Sequence, residues 1–178
     1  MKSDMCTFRQ EETDMRDGFI RTAAATPKIK VADPVHNRET ICRIIEEYEK
    51  KGAELLVFPE LCLSGYTCND LFQQEILLEQ VKEELKNLVD FTKGRKMLLF
   101  AGLPWEHEGK LYNVAAAICD GELLGLVTKT NMPNYSEFYE LRHFTPGMEI
   151  PVLTDWLDTR VPMGTNLLFT CKENPKLT

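Results

Sequence analysis

Apolar residues along this chain fall into short dense runs separated by stretches in which they recur every three or four positions. Leu55-Leu56-Val57-Phe58 is such a run, ended by Pro59, which has no amide proton for a ladder, so the pattern predicts a buried strand that delivers Glu60 at its mouth. Phe19 to Thr26 is short, apolar and β-compatible, and Pro27 and Asp33-Pro34 close it off as a first core strand. Between the two, Ile41, Ile44, Ile45 and Tyr48 repeat at helical spacing opposite Arg43, Glu46, Glu47, Glu49 and Lys50. The reading is an amphipathic helix begun by Asp33 or Asn37 and capped by Gly52. Strand, helix, strand with short connections is a βαβ unit, so the strands are expected to be parallel neighbours joined right-handedly. Glu60 then leaves the carboxyl end of a parallel strand, where α/β sites are built.

Leu71, Leu78, Val81, Leu85 and Leu88 predict a second helix, capped by Asn69 and ended near Gly94. Met97 to Ala101 reads as the next buried strand, with Gly102-Leu103-Pro104-Trp105 turning out of it. Leu111 to Ile118 and Leu123 to Thr128 flank Cys119-Asp120-Gly121-Glu122, and Asp-Gly between apolar runs is a hairpin signal. The second arm ends on Lys129, and the aromatic stretch Thr130 to Gly147 has the character of a site-shaping loop. A further strand is expected at Asn166 to Thr170 and a turn at Glu173-Asn174-Pro175. The order βαβαββ, followed by more hairpins, indicates an α/β or α+β layered sandwich. Residues 1–16 are polar and aperiodic and are read as a loose tail before one domain over 17–178.

A net charge of −7 argues against a polyanion-binding surface, so neither nucleic acid nor anionic membrane is an expected partner. No run approaches the ~18 apolar residues of a spanning helix. Asp4, Arg9, Glu11, Glu12 and Asp14 stand where a signal peptide needs an apolar core, which favours the cytoplasm. Six cysteines at irregular spacing read as reduced structural thiols; Cys62 and Cys68 lie too far apart for a zinc pair, and no metal is expected.

Phe58-Pro59-Glu60-Leu61-x-Leu63-x-Gly65-Tyr66 resembles a motif of the nitrilase, or carbon-nitrogen hydrolase, superfamily, whose glutamate is the general base of a Glu-Lys-Cys triad. Lys129-x3-Pro133-x-Tyr135-x2-Phe138-Tyr139-Glu140-x-Arg142-x-Phe144-x2-Gly147 is similar to that superfamily's lysine loop, in the form seen in the glutaminase domains of glutamine-dependent NAD synthetases. Asp17 to Pro27 and Cys62 to Tyr66 are similar to the same group. The resemblance implies a nitrilase-type αββα sandwich, here incomplete, with glutamine as substrate. Glu60 would take the thiol proton and later activate water, and Lys129 would stabilise the oxyanion. Tyr66, Tyr135 and Phe138 match positions that contact glutamine, and Glu140 matches a second glutamate that holds the lysine and the substrate. The resemblance places the nucleophile on a Glu-x-Cys-Glu-Asp type turn that this chain does not reach. Cys171 lacks the following Glu-Asp and Cys62 lies between Leu61 and Leu63, so no nucleophile is expected in this chain and the chain alone is expected to be inactive. No cofactor is expected for this domain; ATP and Mg would belong to a C-terminal synthetase domain of a parent protein, which is expected to be a homo-oligomer. Two alternatives remain at this point: a free-standing amidase or carbamoylase, and a non-catalytic binding or assembly module.

Overall fold

The structure is a computed structural model that describes residues 6–8, 19–136 and 138–171. A seven-stranded mixed sheet carries the fold. Its strands are β2 (Thr22–Ala24), β3 (Leu55–Val57), β4 (Leu98–His107), β5 (Lys110–Cys119), β6 (Glu122–Thr128), β7 (Val152–Trp156) and β8 (Thr159–Gly164), in the spatial order β2-β3-β4-β5-β6-β8-β7. β2, β3 and β4 are parallel, β5 is antiparallel to both its neighbours, and β8 runs parallel to β6. The βαβ unit expected from the sequence is therefore present, with Ala23 beside Leu56.

Helix α1 (Pro34–Lys50) begins where Asp33 accepts a hydrogen bond from the His36 amide at 3.0 Å, with Pro34 in the first turn. Of the two expected starts it is Asp33 that caps. Asn37 is instead fully buried, and its amide donates to the carbonyls of Lys30 and Leu63 at 2.8 and 3.0 Å. It ties the entry to α1 to the loop that follows Glu60. Helix α2 (Glu75–Phe91) starts at Gln74, so the expected cap at Asn69 is corrected. Asn69 sits at φ +49° inside a 3₁₀ segment, Tyr66–Gln73, and Leu71 there is exposed rather than on the helical stripe.

α1 and α2 lie side by side, joined where Arg38 meets buried Glu84 at 2.7 Å. Ile41, Ile45, Val81, Leu85 and Leu88 pack against Leu56, Leu99, Ala101, Leu103 and Ile118 of the sheet. The other sheet face carries a smaller cluster, with Leu98, Ala117, Cys119 and Leu124 under Cys171 and Phe169. Those last two belong to β9 (Phe169–Cys171), which pairs in parallel with β1 (Cys6–Phe8). The loose-tail reading of residues 1–16 therefore fails at Cys6–Phe8, where a strand forms. The turn expected at 173–175 lies outside the described residues.

Gly102 to Trp105 is not a turn. β4 continues through it to His107, paired with β5 from Leu99↔Ile118 to His107↔Lys110. Leu103 and Trp105 face the helices and are buried, while Pro104 costs no ladder bond because β3 accompanies β4 only as far as Phe100. The Asp120-Gly121 hairpin forms as expected, with φ of +49° and +77° at the two residues, as a two-residue primed turn requires.

Candidate active site

Glu60 is positioned by what surrounds it in sequence. After β3 ends at Val57, the Phe58 amide still donates to the Phe100 carbonyl at 2.8 Å, and Pro59 then ends the ladder. The chain turns sharply, with Leu61 at φ +51°, and buries Leu61 and Leu63 almost completely. With these neighbours anchored inward, Glu60 is left at the surface of the sheet mouth. The turn lies directly on β4, where the Leu63 amide donates to the Gly102 carbonyl at 3.1 Å. Only glycine permits this approach, since a Cβ at position 102 would stand 2.6 Å from the Pro59 oxygen and 2.8 Å from the Glu60 carbonyl carbon.

Lys129 extends the β5–β6 ladder by one rung, its amide donating to the Asn113 carbonyl at 2.9 Å. Its own carbonyl accepts from Gly147 at 2.7 Å, and a Cβ on Gly147 would come within 2.8 Å of the Thr128 Cβ. The lysine backbone is thus held from both sides. Glu140 opens a single helical turn, α3 (Glu140–His143), and Tyr66 opens the 3₁₀ segment.

These four side chains converge. Lys129 Nζ donates to Glu60 Oε1 at 2.6 Å and to Glu140 Oε2 and Oε1 at 2.8 and 3.0 Å, and the Tyr66 hydroxyl donates to Glu140 Oε1 at 2.6 Å. Glu140 is 5% exposed, so its charge is stabilised by these donors rather than by water. Burial alone would lower the pKa of the Lys129 ammonium, but the hydrogen bonds it donates to Glu140 and Glu60 more than offset this and the pKa is raised, keeping the group protonated. Burial and then Glu140 push the Tyr66 phenol up, which fixes it as a donor. Asn113 donates a further hydrogen bond to Glu60 Oε1.

A cavity of about 320 Å³ opens beside Glu60 and Lys129, lined also by Val57, Phe100, Gly102, Asn113 and Val127 among others. A carboxylate able to take a proton and an ammonium able to face a developing oxyanion border the same space. Tyr135 and Phe138 do not line it. They stack edge to face on the lysine loop with ring centroids 5.6 Å apart, and Tyr135 is 69% exposed on an adjoining open shelf of about 530 Å³. Among the described residues, no cysteine lines the cavity over Glu60. Cys62 points into the core, 3.6 Å from the Gly102 carbonyl, and burial pushes its thiol up to about 12. Cys171 is buried in the cluster against which Phe100 packs.

Sequence reasoning missed Asn113 and Gly102. Each had a signal: a carboxamide within the apolar run Leu111 to Ile118, and a glycine inside what proved to be strand.

A helix-backed mixed sheet with an ion-paired carboxylate and lysine at its mouth is a nitrilase-like hydrolase architecture. Residues 21–166 match the carbon-nitrogen hydrolase family, and the chain belongs to that family. It is 35% identical over 156 residues to a glutamine-dependent NAD(+) synthetase from Mycobacterium leprae, covering 88% of this chain and 23% of the relative. A synthetase of the same description from Aquifex aeolicus is 39% identical over 131 residues, covering 74% of this chain and again 23% of the relative. The chain thus spans about a quarter of the length of these curated relatives. The crystal structure of a glutamine-dependent NAD(+) synthetase from Cytophaga hutchinsonii superposes with a TM-score of 0.77 at 28% identity, over 82% of this chain and 25% of that one. An amidase from Nesterenkonia sp. shares the fold, with a TM-score of 0.62 at 23% identity over 80% of this chain and 54% of that one. Among the described residues, no helix is long and apolar enough to cross a membrane.

Proposed function

We propose that this chain is part of the glutamine-hydrolysing domain of a glutamine-dependent NAD synthetase, and that its cluster prepares an amide for attack by a cysteine thiol. The observation that carries the reading is the Lys129 ammonium held between Glu60 and Glu140 at the edge of an open cavity. Glu60 accepts the thiol proton as sulfur attacks the amide carbon, and the tetrahedral oxyanion forms beside Lys129. Collapse to the thioester expels ammonia, which leaves with the proton returned by Glu60; the same carboxylate then deprotonates the water that releases glutamate. Glu140, with Tyr66, fixes the lysine. In this reading Tyr135, on the adjoining shelf, and Phe138, stacked against it, meet the far end of the glutamine. In this reading the nucleophile, and the ATP- and Mg-dependent step converting nicotinic acid adenine dinucleotide to NAD, belong to sequence this chain does not contain. On the same reading no described cysteine serves as that nucleophile, and the chain by itself is expected to hydrolyse no glutamine.

The test is Glu60→Gln in the full-length protein that contains this segment. Glutamine-driven synthesis falls by at least ~10²-fold while ammonia-driven synthesis is retained. Equal loss of both activities would return Glu60 to a folding role.

A further inference from the structure

We infer that Asn113 is a positioning residue that holds both charged partners of the site, Glu60 through its side chain and Lys129 through its backbone, leaving Glu60 Oε2 as the oxygen that takes the proton. The inference rests on the reading of Glu60 as a base. Asn113 lies in mid-β5, 3% exposed, between buried Tyr112 and Val114. A carboxamide there is costly unless it is hydrogen-bonded. Its Nδ2 donates to Glu60 Oε1, the oxygen that also accepts from Lys129 Nζ, and among the described residues no hydrogen bond falls on Oε2. Only the nitrogen of the carboxamide can face a carboxylate oxygen, so the contact has one orientation. The Asn113 carbonyl accepts the Lys129 amide at 2.9 Å, so one residue sets the register of the lysine and the rotation of the carboxylate.

A carboxylate with both donors on one oxygen cannot spin freely about its terminal bond. Its unbonded oxygen keeps its basic lone pairs and a fixed direction, which is what proton transfer to a positioned base requires. An apolar residue at 113 would keep the ladder bond to Lys129 and the packing of β5, yet would release Glu60 to rotate. Asn113 thus serves the site more than the sheet.

The experiment is a double-mutant cycle in the full-length protein, following glutamine-driven and ammonia-driven synthesis. Asn113→Ala lowers the glutamine-driven kcat about 10- to 100-fold, the scale of losing an orienting partner, with KM changed less than about twofold and the ammonia-driven rate intact. In a Glu60→Gln background the same substitution changes the remaining rate by less than about twofold, because it acts through the base already removed. A full additional loss in that background, an effect confined to KM, or equal loss of both activities overturns the inference. Should Asn113→Ala fail to fold, Asn113→Leu keeps about the same volume without the donor and is read by the same criteria. Wild-type protein with ammonia-driven but no glutamine-driven synthesis would overturn the functional reading itself, and this inference with it.

Discussion

Lys129 is the residue on which the electrostatics of the site turn, because a single ammonium faces two carboxylates, one at the surface and one buried. The Tyr66 hydroxyl supplies the second donor to the buried one, Glu140. Removing it by Tyr66→Phe leaves Lys129 as the Glu140 side chain's partner among the described residues, so the cost in stability is modest, about 1 kcal/mol for one hydrogen bond. The functional cost is expected to be larger, a five- to tenfold lower glutamine-driven kcat, roughly the effect of loosening the lysine's anchor. Steady-state kinetics alongside urea melts separate the two; unchanged kcat with lowered stability would make the phenol a packing group. The thiols show how burial decides reactivity. Cys62 follows Glu60 by two residues, yet its side chain is turned into the core and pushed up to about 12, and proximity in sequence gives it no chemistry.

At the scale of elements, the site depends on how closely the Glu60 turn lies on β4. Gly102 makes that approach possible, and Gly102→Ala forces backbone against backbone at Pro59 and Glu60, where no flexible side chain can yield. A loss of roughly 1–3 kcal/mol of stability is expected, together with a fall in glutamine-driven kcat greater than stability alone explains, since the displaced residue is Glu60. Thermal melting and kinetics on the same preparation test this, and a variant that melts lower but keeps full kcat would show the turn to be tolerant. Asn37 supports the far side of the same turn by bonding the Leu63 carbonyl, so the loop is gripped from α1 as well as from β4. Glu60 and Lys129 were legible in sequence because each ends a recognisable strand within a motif. Gly102 and Asn113 stand out locally only as a glycine and a carboxamide in apolar runs; what each meets lies 42 and 53 residues away respectively, at Glu60, and the local pattern does not name that partner.

For the whole molecule, two buried thiols make stability depend on alkaline pH. Burial pushes Cys62 up to about 12 and, on α1, Cys42 up to about 11, from an ordinary value of 9.0. Both are acids whose folded value is raised, so the unfolded chain binds fewer protons above pH 9. Their contribution to stability is complete below about pH 9 and declines from there through pH 11 to 12. Urea unfolding of the 178-residue chain across that range is expected to show the decline, reduced in Cys62→Ala after allowance for its altered packing. A flat profile between pH 9 and 11 would show that the thiols stay reachable by water. The two sheet faces also differ. Helices α1 and α2 seal one, while on the other Val57 remains 40% exposed beside the cavity.

The periodicity of the sequence by itself determined the βαβ unit, the amphipathic α1, the Asp120-Gly121 hairpin and the delivery of Glu60 and Lys129 at strand ends, because each is written in the local spacing of apolar residues, the turn residues and the short connections. The tertiary structure alone decided that β4 runs through Pro104 and that α2 starts at Gln74 rather than Asn69. It also put a strand at Cys6–Phe8 and turned Cys62 away from the cavity. In each of these the competing local preferences differ by little. Pairing and burial against distant residues add more than propensity does, and so the distant partners choose.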